Sequence, residues 1–341
     1  MKRWSVTKRL LPLLTGLVLL LSACGREDLS ALNPQGPVAE KQFNLMMLAV
    51  YIMTFVVVVV FAISIYVLIK FRRRKGDNSI PKQVEGNHKL EIIWTVIPII
   101  LLLVLGFPTI RDVFGLAKDY SKDKDALQVK VTAHQYWWEF EYTDLGITTA
   151  QELIVPTDKV VSFELVAGDV KHSFWIPAIG GKMDTNPGVT NRMYLEFPKE
   201  GVYRGKCAEL CGPAHALMDF KAKSVSPESF SRWVSAMKAP AVMPADAEIA
   251  EKFTSQCLSC HAVGENGGNS APNLTGVGGR LTVGGILYND EAGVEQNLHD
   301  WITDPQKYKY GAMMPTAEDN SLTPEEVSSI AKYLAEYKLD Y

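Results

Sequence analysis

Charge of one sign is what this chain most conspicuously lacks. Among its 341 residues, 35 Lys and Arg stand against 38 Asp and Glu, for a net charge of −3. No basic patch suited to nucleic acid is present, so no nucleic-acid partner is expected. No internal repeat is visible either, which argues against solenoid and propeller architectures. Cysteine is scarce, with five, and histidine nearly so, with six. Yet every cysteine falls in a motif: Cys24 alone, Cys207 with Cys211, and Cys257 with Cys260. Three of the histidines, His88, His134 and His299, have no partner cluster and read as surface or structural residues.

Average composition hides two unlike halves. Lys2, Arg3, Lys8 and Arg9 precede an apolar run from Leu10 to Leu21, the layout of a secretory signal over 1–23 that is too short to span a bilayer. Its ending, Leu21-Ser22-Ala23-Cys24, resembles a bacterial lipobox, which implies cleavage before Cys24 and lipidation of that thiol; the alternative is an ordinary signal peptide or an uncleaved anchor. After an exported segment, 24–42, come two uncharged runs, Leu45 to Ile69 and Ile92 to Ile110, long enough to cross the hydrocarbon core as a hairpin over 43–111. The loop 70–91 carries Lys70, Arg72, Arg73, Arg74, Lys75, Lys82 and Lys89, which places it in the cytoplasm and everything after Arg111 on the outer face. Cys24 falls on that same outer face.

From Val129 to about Ser226 the pattern changes to short strands. Val161, Phe163 and Leu165 alternate with Ser162 and Glu164, as in a half-buried strand. A β-sandwich or barrel over 112–226 is predicted, followed by a helix near Ser226 to Met237 and an Ala- and Pro-rich linker up to 246. The last segment, 247–341, reads as all-α. Its final helix is announced by Thr323 as N-cap, Pro324 at N1 and Glu326 at N3, with Val327, Ile330, Ala331 and Leu334 on one face.

The chemistry is concentrated in Cys207-Ala-Glu-Leu-Cys211-Gly-Pro-Ala-His215-Ala-Leu-Met218, with His172 upstream. Soft sulfur with imidazole suits copper rather than Mg or Ca. A disulfide or a zinc site could use the cysteines, but neither explains Met218. A mononuclear blue-copper site needs one cysteine. The second thiolate allows both sulfurs to bridge a pair of coppers. Downstream, Cys257-Leu-Ser-Cys260-His261 is the c-type haem attachment pattern, with His261 as proximal ligand.

The copper segment, His172-Ser-Phe174, Asp184, the aromatic stretch His134 to Tyr142 and Glu91-Ile-Ile-Trp94-Thr-Val-Ile-Pro98 together resemble subunit II of haem–copper cytochrome c oxidase over roughly 43–218. The resemblance implies a cupredoxin-like domain in which His172, Cys207, Cys211, His215 and Met218 bind dinuclear copper A and Glu209 adds its backbone carbonyl. It also implies that the Glu209 side chain reaches a magnesium shared with subunit I and that Glu91 marks the mouth of a proton pathway. The family's electron-accepting tryptophan falls where this chain has Tyr136, with Trp137 beside it, so one of these aromatics is the expected point of electron uptake. Ala271 to Arg280 and Asp304 to Pro315 resemble class I cytochrome c. That likeness implies Met314, rather than its neighbour Met313, as distal haem ligand, Pro272 as acceptor of the His261 ring N–H, and Arg280 as partner of a haem propionate.

The function implied is that of a lipid-anchored, two-helix subunit of a respiratory cytochrome c oxidase in a bacterial cell membrane. An external cytochrome c or a quinol–cytochrome c reductase would reduce haem c. Electrons would pass to copper A and on to subunit I, where dioxygen is reduced with proton translocation. A quinol oxidase subunit would dispense with the copper ligands, all of which are present. A nitrous oxide reductase would lack the hairpin and Glu91. A freestanding carrier would not need two membrane helices.

Overall fold

The computed structural model describes residues 11–12, 15–16, 26–73, 76, 80, 82–290 and 293–341. Cys24 and most of the signal segment lie outside the described residues.

Two long helices come first: α1, Pro37–Lys70, and α2, His88–Leu116. Each extends beyond the apolar run that predicts it (45–69 and 92–110), because helical hydrogen bonding continues past the uncharged stretch to a stop signal. Pro37 sits at N1 of α1, and the Asn87 side chain caps α2 by accepting from Lys89 N at 3.1 Å and Leu90 N at 3.3 Å. Residues 37–42 therefore belong to the first helix, and Glu91 lies in the first turn of the second. Pro98 and Pro108 are accommodated inside α2. Both helices leave large apolar side chains uncovered, such as Phe61 at 63% and Leu102 at 68% exposure, an arrangement suited to lipid and not to water.

The hairpin is fastened to the domain that follows. Gln35 N donates to Ala178 O at 2.7 Å and Ala39 N to Ile179 O at 3.0 Å; at the other helix end Tyr194 Oη donates to Gly115 O at 3.2 Å.

That domain is a sandwich of two five-stranded sheets. The strands are β1 Leu127–His134, β2 Trp137–Tyr142, β3 Ile147–Ala150, β4 Glu152–Pro156, β5 Val160–Ala167, β6 His172–Trp175, β7 Met183–Thr185, β8 Asn191–Glu196, β9 Gly201–Cys207 and β10 Asp219–Val225. One sheet runs β3-β2-β1-β5-β8, the other β4-β10-β9-β6-β7. The pairings β1–β5 and β4–β10 are parallel and the rest antiparallel. Alternation along β1 and β2 sends Val129, Val131, Trp138 and Phe140 inward. They meet Phe163, Phe174 and Phe220, with Phe174 stacked on Phe220 at 4.9 Å between ring centroids. Aromatic packing of this kind contributes about 0.5–1.5 kcal/mol per pair beyond area burial. Helix α3, Pro227–Met237, then covers Tyr142 with Phe230 and Trp233.

The C-terminal domain packs α4 Ala247–Lys252, α5 Val294–Thr303 and α6 Pro324–Glu336 around Phe253, Leu298, Ile302, Val327, Ile330 and Leu334. The predicted capping box on α6 forms in full. Two minimal hairpins, 262–267 and 282–288, add to the expected all-α arrangement.

Candidate metal and haem sites

Sheet register assembles the first pocket. Pairing of β6 with β9 sets Phe174 opposite Cys207, so His172 and Cys207 enter the same end of the sandwich. The chain leaves β9 at Cys207, loops through Cys211 and a single 3-10 turn at His215–Leu217, and returns in β10 with Asp219 opposite Lys206. The loop is thus pinned at both ends by one hydrogen-bonded ladder.

Five donor atoms converge there. Cys207 Sγ lies 3.8 Å from Cys211 Sγ and 4.0 Å from His172 Nδ1; Cys211 Sγ lies 3.7 Å from His215 Nδ1 and 3.7 Å from Met218 Sδ. The Glu209 carbonyl stands 3.2 Å from Cys207 Sγ. A sulfur separation of 3.8 Å is far beyond a disulfide bond, whereas two thiols, two imidazoles and a thioether around one space are a copper donor set.

The surroundings prepare the donors. His172 Nε2 is bonded to Asp169 Oδ1 at 2.7 Å, so Nδ1 is the nitrogen turned toward the sulfurs. Burial lowers the His172 pKa against the pull of Asp169, which keeps the imidazole neutral as a metal ligand requires. Burial, with Cys207 beside it, pushes the Cys211 thiol up to about 12. A bound metal must therefore displace its proton. Asp169 also accepts from Gln135 N at 2.6 Å, and Gln135 Nε2 donates to Cys211 O at 2.6 Å. Trp138 Nε1 donates to Met218 O at 3.5 Å. Asp169 is a functional residue that the sequence reading did not single out. Its only signal was a carboxylate three positions before His172.

Outside this pocket, the Glu209 carboxylate pairs with Lys182 at 3.5 Å. Lys182 and Lys171 also hold Asp184, whose carboxyl is drawn down to about 2 chiefly by Lys171. Glu91, half-buried, sits 3.5 Å from the exposed His88. The aromatic pair divides: Trp137 stacks on His134 at 4.3 Å, while Tyr136 turns inward and is buried. Gly212, at φ +135°, lies so close to the Tyr136 hydroxyl that a Cβ there would strike it.

In the C-terminal domain, a π-helical turn, Phe253–Cys257, presents Cys257, Cys260 and His261 together. The two thiols are unpaired. His261 Nδ1 donates to Pro272 O at 2.6 Å, which leaves Nε2 for iron. Met314 turns toward the domain core, whereas Met313 is 76% exposed. These residues fit a haem with His and Met axial ligands. Arg280 is buried and donates to the carbonyls of Asn273 and Thr275. Trp301 packs in the core, and Tyr308 Oη donates to Asp300 at 3.0 Å.

Comparison with known proteins gives a consistent result. The profile described as cytochrome C oxidase subunit II, transmembrane domain, matches residues 31–111; that for the subunit II periplasmic domain matches 145–225; that for cytochrome c matches 247–338. Cytochrome c oxidase subunit 2 of Alkalihalophilus pseudofirmus is 44% identical, with 99% of each chain covered. Its counterpart from Bacillus sp. PS3 is 48% identical over 97% of this chain and 98% of that one. Quinol oxidase subunit 2 of Bacillus subtilis is 37% identical, but the match spans 66% of this chain and 70% of that one. The matched domains imply copper A and haem c. The chain belongs to the cytochrome c oxidase subunit II family, in the form with its own C-terminal cytochrome c domain, and serves electron transfer in a membrane-bound oxidase.

Proposed function

We propose that this chain is the electron inlet of a respiratory cytochrome c oxidase, taking electrons at a single covalent haem c on its outer-face cytochrome domain and delivering them through copper A to subunit I. The observation that carries this reading is the convergence of His172, Cys207, Cys211, His215 and Met218 within one pocket of the sandwich, on a chain that also presents Cys257, Cys260 and His261 as a haem attachment turn.

When bound, copper A shares one electron between two metals and haem c cycles between ferrous and ferric iron. The protein's part is positional. Cys207 and Cys211 would supply two thiolates, His172 and His215 one nitrogen each, and Met218 and the Glu209 carbonyl further donors. Asp169 orients His172, Pro272 orients His261, and Met314 would be the second protein ligand of the haem. Arg280 is assigned to the haem propionate. Glu209 is assigned to a magnesium shared with subunit I, Glu91 to proton uptake on the cytoplasmic side, and Cys24 to the lipid anchor. Tyr136, buried beneath the cytochrome domain, is favoured over Trp137 as the aromatic between the two centres. The donor is an external cytochrome c or a quinol–cytochrome c reductase.

The test is purification from the native membrane in mild detergent. Copurification of a non-covalent haem in a second subunit, two coppers per chain in the copper A spectrum, and oxygen uptake with reduced cytochrome c are expected. Covalent haem and copper without oxygen uptake would leave a freestanding carrier instead.

A further inference from the structure

The cytochrome domain is seated on the copper sandwich, and one buried cation crosses the seam. Lys309 is 3% exposed. Its Nζ donates to Tyr136 O at 3.1 Å and to Gly284 O, with the Trp301 ring 5.9 Å away. Asp219 acts on it only at a distance, being already held by Lys206 at 2.6 Å and Arg204 at 3.5 Å. A lysine buried with only carbonyl partners is costly, so its retention points to a geometric role.

Both ends of this contact are stiff. On the cytochrome side, the Gln306 side chain staples the loop by donating to Ala312 O and accepting from Gly311 N at 2.8 Å. That loop carries Lys309 at one end and Met314 at the other. On the copper side, the residue before Tyr136 is Gln135, which binds the Cys211 carbonyl and the Asp169 carboxylate that orients His172. The Tyr136 ring lies between Gly212 of the copper loop and Gly311 of the cytochrome loop, where a Cβ on Gly311 would come within 3.2 Å of the ring. Further contacts extend the seam: Lys221 Nζ to Gly285 O at 3.4 Å, Leu281 N to Glu152 Oε1 at 3.1 Å, and Lys223 Nζ to Tyr341 Oη at 3.1 Å.

We propose that Lys309 is an interdomain positioning residue, whose buried amino group, through its hydrogen bonds to the Tyr136 and Gly284 carbonyls, pins the loop bearing Met314 to the Gln135–Tyr136 turn that buttresses Cys211 and His172. The proposal rests on the electron-inlet reading for its purpose, but not for its test. Burial lowers the Lys309 pKa, to about 8, with Asp219 opposing, as a site closed to water requires.

The experiment is pulsed amine acylation of the intact oxidase, read by mass spectrometry. In the wild type, Lys309 and Lys221 should acylate far more slowly than exposed Lys124 and Lys332. In Lys309→Ala, and in Lys309→Met, which keeps the packed stem and removes the donors, Lys221 labelling should rise roughly tenfold, the ratio expected from losing one buried interdomain hydrogen bond. Haem and copper content should stay at wild-type levels, while intramolecular haem-to-copper transfer after flash reduction slows. The methionine variant decides if the alanine variant fails to fold. Lys221 protection unchanged in the methionine variant, or wild-type Lys309 acylating as fast as Lys124, would overturn the proposal. Absence of haem or copper from the wild-type complex would sink the electron-inlet reading and leave the labelling result standing.

Discussion

The copper pocket and the haem pocket solve the same problem, holding a redox centre, in opposite ways. The proposed copper donors come from one short loop and one neighbouring strand, hung on two complete sheets with an aromatic core of their own. The proposed haem ligands, His261 and Met314, are far apart in sequence, in a small domain whose core is largely aliphatic side chains. In the first, the core is complete in protein side chains alone. In the second, the haem proposed there would add its own apolar surface to a small core.

That contrast can be broken at its strongest point. Cys257→Ser with Cys260→Ser should abolish covalent haem and leave 247–341 open to proteolysis, while copper content is preserved; fragment mapping after limited digestion reads both. Cys211→Ser should remove the dinuclear copper signal with haem retained, and the sandwich should stay folded by circular dichroism, because that thiol is one small member of a core built mainly from Trp138, Phe140, Phe163, Phe174 and Phe220. At the distal position, Met314→Leu should lower the haem potential markedly in a redox titration, whereas Met313→Leu should leave it unmoved. Asp169→Asn should weaken copper binding by about 10–100-fold in a chelator competition, since the orienting partner of His172 loses its charge.

The smallest effect concerns the seam. Lys221 and Lys309 each have a pKa lowered to about 8, chiefly by burial, in the company of Asp219, Arg204, Lys206 and Glu152. For a depressed lysine the charged form disfavours the docked state. The penalty is therefore in force below about pH 8 and disappears as pH rises toward the unburied value of 10.5. Docking should tighten between pH 7 and 10, seen as slower hydrogen exchange at Leu281 N after correction for the intrinsic rate.

The same contrast explains what could be read in the sequence. The copper loop is contiguous, so its donors were visible as a string, and β5 and α6 ended close to where alternation and capping placed them. The hairpin was legible by hydropathy, but its ends were not, since Pro37 acts through its fixed φ and missing N–H and Asn87 through a capping hydrogen bond, neither of which apolar runs register. Asp169 and Lys309 were missed for a different reason. Each matters only through a partner brought to it by the tertiary fold: His172 across a turn, and the Tyr136 carbonyl 173 positions away. Charged residues destined for burial look in sequence like any solvated side chain.

The bonds from Gln35 and Ala39 to the 178–179 turn, and from Tyr194 to Gly115, tie both outer helix ends to the sandwich. A domain held at two points cannot swivel about either. Its tilt relative to the bilayer is therefore a fixed property of the subunit. Any partner that docks on this domain from along the membrane surface would meet the same face at the same height at every encounter, so its search would be confined to a plane and much of the orientational penalty of docking removed before contact.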